Sequence, residues 1–353
     1  MIISSPGRIC LFGEHQDYLG LPVIAAGISL RLTIEAERRD DLAVSINLPD
    51  VGEKEYFSME GDLPYTKAAD YFKSGINTLR KDGFTFSGGV DATVKGEIPV
   101  QAGTSSSSAM VVSWINLLAQ LSDQGTELTS EQIADLAYRA EVVEFNEAGG
   151  MMDQYTSAVG GVIHLESQPE MRLKTLPCRL GSFVLGDSLQ TKDTQSILAR
   201  SKERVLDLVT RAEREKRDFS LQHAKADEVM GIEHLEDEEK LLLSETIANR
   251  DITLEGLSLL EKEDVDSPKL GALLNLQHSI LRDALDVSTE KIDAMLEAAM
   301  AAGAMGGKIN GSGGGGCMFA YAPGCAEEVA TAIEKTGGKA YIVHVDTGSA
   351  KNG

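Results

Sequence analysis

Small polar residues crowd one stretch of this 353-residue chain, IPVQAGTSSSSAM at positions 98–110, just where an almost wholly apolar run from Met110 to Leu121 begins. Glycine and serine leave backbone N–H groups uncovered, so such a turn lets a ligand approach the main chain closely. At the N-terminus of a buried helix, the turn also meets the positive end of the helix dipole. Both features suit a phosphate, and serine hydroxyls can add hydrogen bonds or ligate Mg²⁺. No lysine lies inside the turn, so it is not the Walker A pattern. Main-chain amides, the dipole and a metal would have to offset the phosphate charge. Read alone, the same residues also fit a serine-rich turn ahead of a core helix.

A second cluster, PGRICLFGEHQDYLG at 6–20, places Arg8, Glu14, His15, Asp17 and Tyr18 directly after an apolar strand. A row of donors and acceptors suits a polyol, whose hydroxyls need both; a solvated loop with surface ion pairs is the alternative. A third, GGKINGSGGGGCMFAYAP at 306–323, sets glycines between strand-like flanks. It is either a backbone that something approaches closely or a flexible hairpin. Two acids stand apart from charged runs. Glu141 falls eight residues after Ile133 on the apolar stripe of a helix, where a carboxylate is costly unless paired or bound to a cation. Asp153, in GGMMDQ, sits among small and apolar neighbours. Each could also be a satisfied structural carboxylate.

The elements that must position these groups follow from periodicity. RICLF, VIAAGISLRLTIEAE and VDATVKGEI read as strands, followed by the Gly/Ser turn and a helix over 109–121. A further helix starts at Thr129, with Gln132 placed for a capping box and Ile133, Leu136, Ala137 and Ala140 on its apolar face. GGVIHLE is a further strand. After Cys178, SFVLGDS is a strand, a charged helical region runs to about residue 302, and GCMFAYAP, a helix from Ala326 to Lys335 and KAYIVHV close the chain. Strands return after helices in both parts, which predicts two α+β lobes, 1–178 and 179–353.

The length allows two lobes at roughly 150 residues each. Hydrophobic content of 42% and charged content of 25% are ordinary for a soluble globular protein. The net charge of −22 argues against nucleic-acid partners and anionic membrane surfaces. Cys10, Cys178, Cys317 and Cys325 have no metal-type spacing and read as reduced thiols. MIISSPGRICLFGEH lacks a basic n-region and a long apolar core, and the run 109–121 is too short to span a bilayer. A cytoplasmic location is expected.

In this order, the clusters resemble the GHMP kinases (galactokinase, homoserine kinase, mevalonate kinase, phosphomevalonate kinase), and most closely the galactokinase branch. PGRICLFGEHQDYLG is similar to GRxNxxGEHxDYxxG, with Cys10 where Asn is usual. IPVQAGTSSSSAM resembles IPxGxGLSSSAA, with Thr104 for Leu and Ser108 for the first Ala. GGKINGSGGGGC resembles G-(A/S)-(R/K)-(M/L)-(T/S)-G-(A/G)-G-x-G-G-C. AEVVEFNEAGGMMDQYTSAVGG and LLNLQHSILRDALDVSTEKIDAML match two further galactokinase stretches.

The resemblance implies an N-terminal lobe like ribosomal protein S5 domain 2 and a ferredoxin-like C-terminal lobe, with ATP and a sugar between them. It implies that Asp153 is the catalytic carboxylate and that Arg8 stabilises the developing charge. Glu14, His15, Asp17, Tyr18, Gly150 and Gly313 would shape the sugar site. Gly103, Ser105, Ser106, Ser107 and Ser108 would hold ATP phosphates, with Gly311 near them. Ser107, or less directly Ser106, would join Glu141 on Mg²⁺. The expected activity is phosphorylation of a monosaccharide at C1. A uronic acid, a heptose or another sugar is an alternative acceptor, a mevalonate-type alcohol a more distant one, and a non-catalytic sugar sensor the reading from another class. The chain departs from galactokinases at Leu19 and Ala25 and lacks their longer hairpin and sugar-contacting tyrosine. LGDSLQTKDTQSILARSKERV stands there instead, with Asp187, Ser188 and Lys192 as candidates for a different sugar site.

Overall fold

The computed structural model describes residues 1–100, 102–191 and 194–352. In the first lobe, the strands are β1 (Ile2–Phe12), β2 (Val23–Arg38), β3 (Ala43–Leu48), β4 (Glu53–Ser58), β5 (Val90–Gly96), β6 (Val162–Glu166) and β7 (Arg172–Leu176). In the second they are β8 (Phe183–Asp187), β9 (Gly306–Asn310), β10 (Cys317–Tyr321) and β11 (Lys339–Val343). The last strand, β12 (Ala350–Asn352), pairs antiparallel with the start of β1, so the chain ends in the first lobe's sheet. That sheet runs β12-β1-β2-β5-β3-β4, with β6 and β7 branching from β2. The second sheet has the order β11-β8-β10-β9, antiparallel throughout. Its strands and flanking helices follow the β-α-β-β-α-β plan of a ferredoxin-like lobe.

Strand β1 belongs to both cores. Alternate side chains on a strand face opposite ways, and register shifts at Pro6/Gly7 and Cys10/Phe12 break that alternation in β1. Ile9 and Leu11 pack into the core shared with the second lobe, while Ile3 and Cys10 pack into that of the first. Being covered on both faces, the strand is buried almost throughout, its Ser4, Ser5 and Arg8 included. Arg8 lies on it amid apolar neighbours.

The helices of the first lobe are α1 (Tyr71–Lys81), α2 (Ser106–Leu121), α3 (Ser130–Tyr138) and α4 (Met152–Val159). Helix α2 begins three residues earlier than its apolar stretch suggests, so Ser106, Ser107 and Ser108 form its first turn. Trp114 anchors it from inside, with its Nε1 donating to Phe72 O at 2.9 Å. Thr129 caps α3 in a full capping box with Gln132. Beyond Tyr138 the helix widens into a π turn over Arg139–Val143, which buries Glu141 alongside Ala140. The charged region resolves into α5 (Thr194–Glu215), a short α6 (Ala226–Val229), α7 (Asp237–Leu260), α8 (Ser267–Asp283) and α9 (Glu290–Ala301); α10 (Ala326–Lys335) follows β10. Among the described residues no helix is long and apolar enough to cross a membrane.

Candidate active site

A cavity of about 460 Å³ opens where the two lobes meet. The ends of β1 and α2, the turn after β1, the start of α4, the first turns of α5 and the loop after β9 all line it. Arg8 reaches it from β1. Its guanidinium grips Asp153 through two bonds, Nε to Oδ1 at 2.7 Å and Nη2 to Oδ2 at 3.0 Å, and Nη1 donates to Gly103 O at 2.6 Å. Such a fork fixes the carboxylate's plane as well as its position. Burial works against the guanidinium's charge, and the carboxylates of Asp153 and Glu14 outweigh it, so the Arg8 pKa lies above its ordinary value.

Asp153 stands in the first turn of α4. The N–H of Met152 donates to Asp17 Oδ2 at 2.7 Å, so Asp17 ties the turn after β1 to the start of α4. Burial pushes the Asp17 carboxyl up to about 7, against the pull of the Met152 N–H. Gly150 makes this approach possible, because a Cβ there would lie 2.1 Å from the Asp17 carboxyl carbon.

The serine turn has the form of an anion cradle. Gly103 adopts φ +81°, and Ser105, the N-cap of α2, sits at φ +61°. This left-handed conformation costs a non-glycine residue on the order of 1–3 kcal/mol and is found at ligand clamps. No side chain caps the helix, and Ser105 Oγ is buried without a partner. The first-turn amides are thus left for an outside acceptor.

Glu141 lies behind this turn, buried, with Gln154 Nε2 donating to it at 2.7 Å. Burial raises its pKa to about 7, opposed by Gln154 and by the Ser107 and Ser108 hydroxyls. A buried carboxylate beside serine hydroxyls has donors that fit Mg²⁺, which takes one or two carboxylates with its remaining ligands from elsewhere. Among the described residues no cluster of three or more His, Cys, Asp or Glu side chains forms an all-protein metal cage.

The polar residues of the turn after β1 divide. His15, at φ +62°, bonds Tyr18 OH through Nδ1 at 2.7 Å and Ser312 O through Nε2 at 3.1 Å. Because Nε2 faces a carbonyl it carries the proton, leaving Nδ1 to accept from Tyr18. Glu14 lines the cavity but is held from behind. Its Oε2 accepts from Lys308 Nζ at 2.8 Å, and Lys308, fully buried, also donates to Cys10 O and Ile309 O. This ion pair crosses the lobe interface.

Two expectations need correction. Gly313 is not at the cavity wall: a Cβ there would lie 2.3 Å from Val287 O, and Gly311 and Ser312 line the cavity instead. The close approach at Gly311 is to the serine turn itself, where a Cβ would sit 2.7 Å from Gly103 O. Asp187 and Ser188 are likewise absent from the lining. Asp187 accepts from Leu189 N–H at 2.9 Å, and Ser188 N–H donates to Gly316 O at 2.9 Å, so they fasten the end of β8 to the glycine loop. Lys192 lies outside the described residues. Sequence reasoning missed Glu147, Thr194, Gln195 and Leu198, which also line the cavity; Gln195 Nε2 donates to Glu147 Oε2 at 2.8 Å. They lie in two stretches noted above as wholes, AEVVEFNEAGGMMDQYTSAVGG and LGDSLQTKDTQSILARSKERV, in which no local pattern singles them out.

The model of the GHMP kinases N terminal domain matches residues 66–161, that of the GHMP kinases C terminal matches 257–339, and the galactokinase galactose-binding signature matches 1–38. The mevalonate kinase of Thermococcus gammatolerans is 32% identical over 98% of this chain and 96% of its own length. The galactokinase of Haemophilus influenzae is 27% identical over 98% and 93%. The structure of Lactococcus lactis galactokinase complexed with galactose superposes with a TM-score of 0.85 at 22% identity, covering 99% of this chain and 95% of that one. Fold and sequence together define a two-lobed, ATP-dependent phosphotransferase. The chain belongs to the GHMP kinases.

Proposed function

We propose that this chain transfers the γ-phosphoryl group of ATP, with Mg²⁺, to the C1 hydroxyl of a neutral monosaccharide. The observation that carries this reading is the charge of the cavity wall. Among the described lining residues Arg8 is the one Lys or Arg, and Asp153 and Gly103 O already occupy its guanidinium. Glu14, Asp17, Asp50, Glu141, Glu147 and Asp153 line the same space. An acceptor carrying its own carboxylate would meet unopposed negative charge, whereas a polyol finds acceptors and donors in Asp17, His15 and Tyr18. The galactose-binding signature over 1–38 supports the same choice.

In this reading Asp153 orients the acceptor hydroxyl and takes its proton late, as the bond from phosphorus to the leaving oxygen breaks. Arg8 holds that carboxylate and faces the charge developing on the transferred group. Gly103 and Ser105 to Ser108 bind the phosphates through main-chain amides and hydroxyls. Ser107 and Glu141 would hold Mg²⁺, which neutralises phosphate charge when bound. The apolar lining residues Leu32, Leu48, Val94, Ile98 and Met110 suit a nucleobase. Transfer of this kind depends on positioning and charge neutralisation more than on covalent work by the protein.

The second reading is a mevalonate-type acceptor, favoured by the higher identity to a mevalonate kinase, 32% against 27% for the galactokinase. Products made from Mg-ATP with neutral hexoses, heptoses, uronic acids and mevalonate decide between them. A phosphorus-coupled anomeric proton in the NMR spectrum of a hexose product supports the proposal. Phosphomevalonate formed without any sugar phosphate rejects it.

A further inference from the structure

Asn310 belongs to β9, in the second lobe, yet its side chain serves the first. The N–H of Cys10 donates to its Oδ1 at 2.9 Å. Its Nδ2 donates to Gly103 O at 2.8 Å and, at the longer distance of 3.4 Å, to Arg8 O. The residue is fully buried. Gly103 O is also the acceptor for Arg8 Nη1. One carbonyl is therefore the meeting point of the serine turn, the guanidinium that holds Asp153, and an amide from the opposite lobe.

We propose that Asn310 is a positioning residue for phosphoryl transfer, which aims the Gly103 carbonyl from across the lobe interface and so sets both the Arg8 fork and the amide cradle. This rests on the reading of Arg8 and Asp153 as the reacting pair and of residues 103–108 as the phosphate cradle. The carboxamide is the side chain that offers an acceptor and a donor on one rigid plane, and both ends are used here. A carboxylate of the same shape would keep the Cys10 bond and turn a lone pair toward Gly103 O. The attachment of the lobes does not depend on this residue alone. Lys308, two residues earlier on the same face of β9, clamps Glu14 and Cys10 O, and the N–H of Cys317 donates to Ala102 O at 2.8 Å. Loss of the amide should therefore disturb aim more than folding.

The test uses the full-length protein as Asn310→Asp and Asn310→Ser, with melting temperature, Mg-AMPPNP affinity by calorimetry, and steady-state kinetics for both substrates. A shift of the reacting groups by about 1 Å costs about 100-fold in rate, so kcat should fall by about that factor. Loss of one well-placed hydrogen bond to the cradle should weaken Mg-AMPPNP about tenfold. The acceptor KM should hold within about twofold, because Asp17 and Tyr18, which would hold the sugar, bond Met152 N–H and His15 instead of Asn310. Wild-type kcat and AMPPNP affinity in either variant overturn the proposal. So does a loss of melting temperature alone, or an acceptor KM that rises as much as that of ATP. Should Asn310→Asp fail to fold, Asn310→Ser, smaller and uncharged, carries the same readouts. The AMPPNP titration needs no acceptor, so a protein that phosphorylates no sugar refutes the sugar reading while the affinity still decides for or against Asn310.

Discussion

Glu141→Gln should make the ligand-free protein more stable, and only at high pH. Burial pushes the Glu141 carboxyl up to about 7 from an ordinary 4.5. A carboxyl whose folded pKa lies above its unfolded one binds its proton more tightly in the native state. The stability this brings is complete below about pH 4.5 and is lost as pH rises through about 7. A gap of about 2.5 pH units at 1.36 kcal/mol each gives about 3 kcal/mol lost by pH 8. Glutamine has the shape of the protonated acid and can keep the Gln154 contact, so the variant escapes that loss. With an unfolding entropy of about 2 cal/mol/K per residue, a chain of this length gains about 4 °C in melting temperature at pH 8 and almost nothing near pH 5. Differential scanning calorimetry from pH 5 to 8.5, without divalent ions, reads this directly. Adding Mg²⁺ and AMPPNP at pH 8 should stabilise the wild type more than the variant, because the cation offsets an ionised carboxylate that glutamine lacks. A melting difference that does not grow with pH would refute the burial argument, and equal gains from Mg-AMPPNP would refute the metal role.

Asp153→Asn should bind nucleotide as the wild type does and lose about 10²–10⁴-fold in kcat, the range for a displaced proton acceptor; full turnover in that variant would reject its assignment. Lys308→Met leaves Glu14 buried without its partner and should cost about 3–5 kcal/mol in chemical denaturation, most of it recovered when Glu14→Gln is added. A double variant as unstable as the single one would mean that packing, not charge, dominates there. Gly150→Ala drives a Cβ into the Asp17 carboxyl and should raise the acceptor KM while the ATP KM holds; equal rises in both would place Asp17 in general support of α4.

What the sequence made legible was local. The capping box at Thr129 and Gln132, the span of α10 and the burial of the 109–121 run all follow from spacing that the chain carries within a few residues. Glu141 announced itself as an acid on an apolar stripe, although its inward aim owes something to the π turn that no periodicity rule foresees. The start of α2 was hidden because three serines look like a loop when they are a first helical turn built to leave its amides open. Partners across the lobe interface were not legible at all. Glu14 meets Lys308, and Gly103 meets Asn310 and Gly311, only once two separately built lobes dock. The glycines of the third loop signalled a close approach, and its object proved to be the chain itself: Gly103, Val287 and Ile197. Strand β12, three residues of AKN without apolar alternation, carries no signal beyond its reach to β1.

The most direct measurement is the ratio of kcat/KM for the best neutral hexose to that for mevalonate, from coupled ADP release with Mg-ATP. A cavity wall whose one described guanidinium is already spoken for should turn over the uncharged sugar and leave the carboxylate-bearing alcohol almost untouched. A ratio well below one, with mevalonate the better substrate, would show that a cation reaches the acceptor after all and would contradict the account.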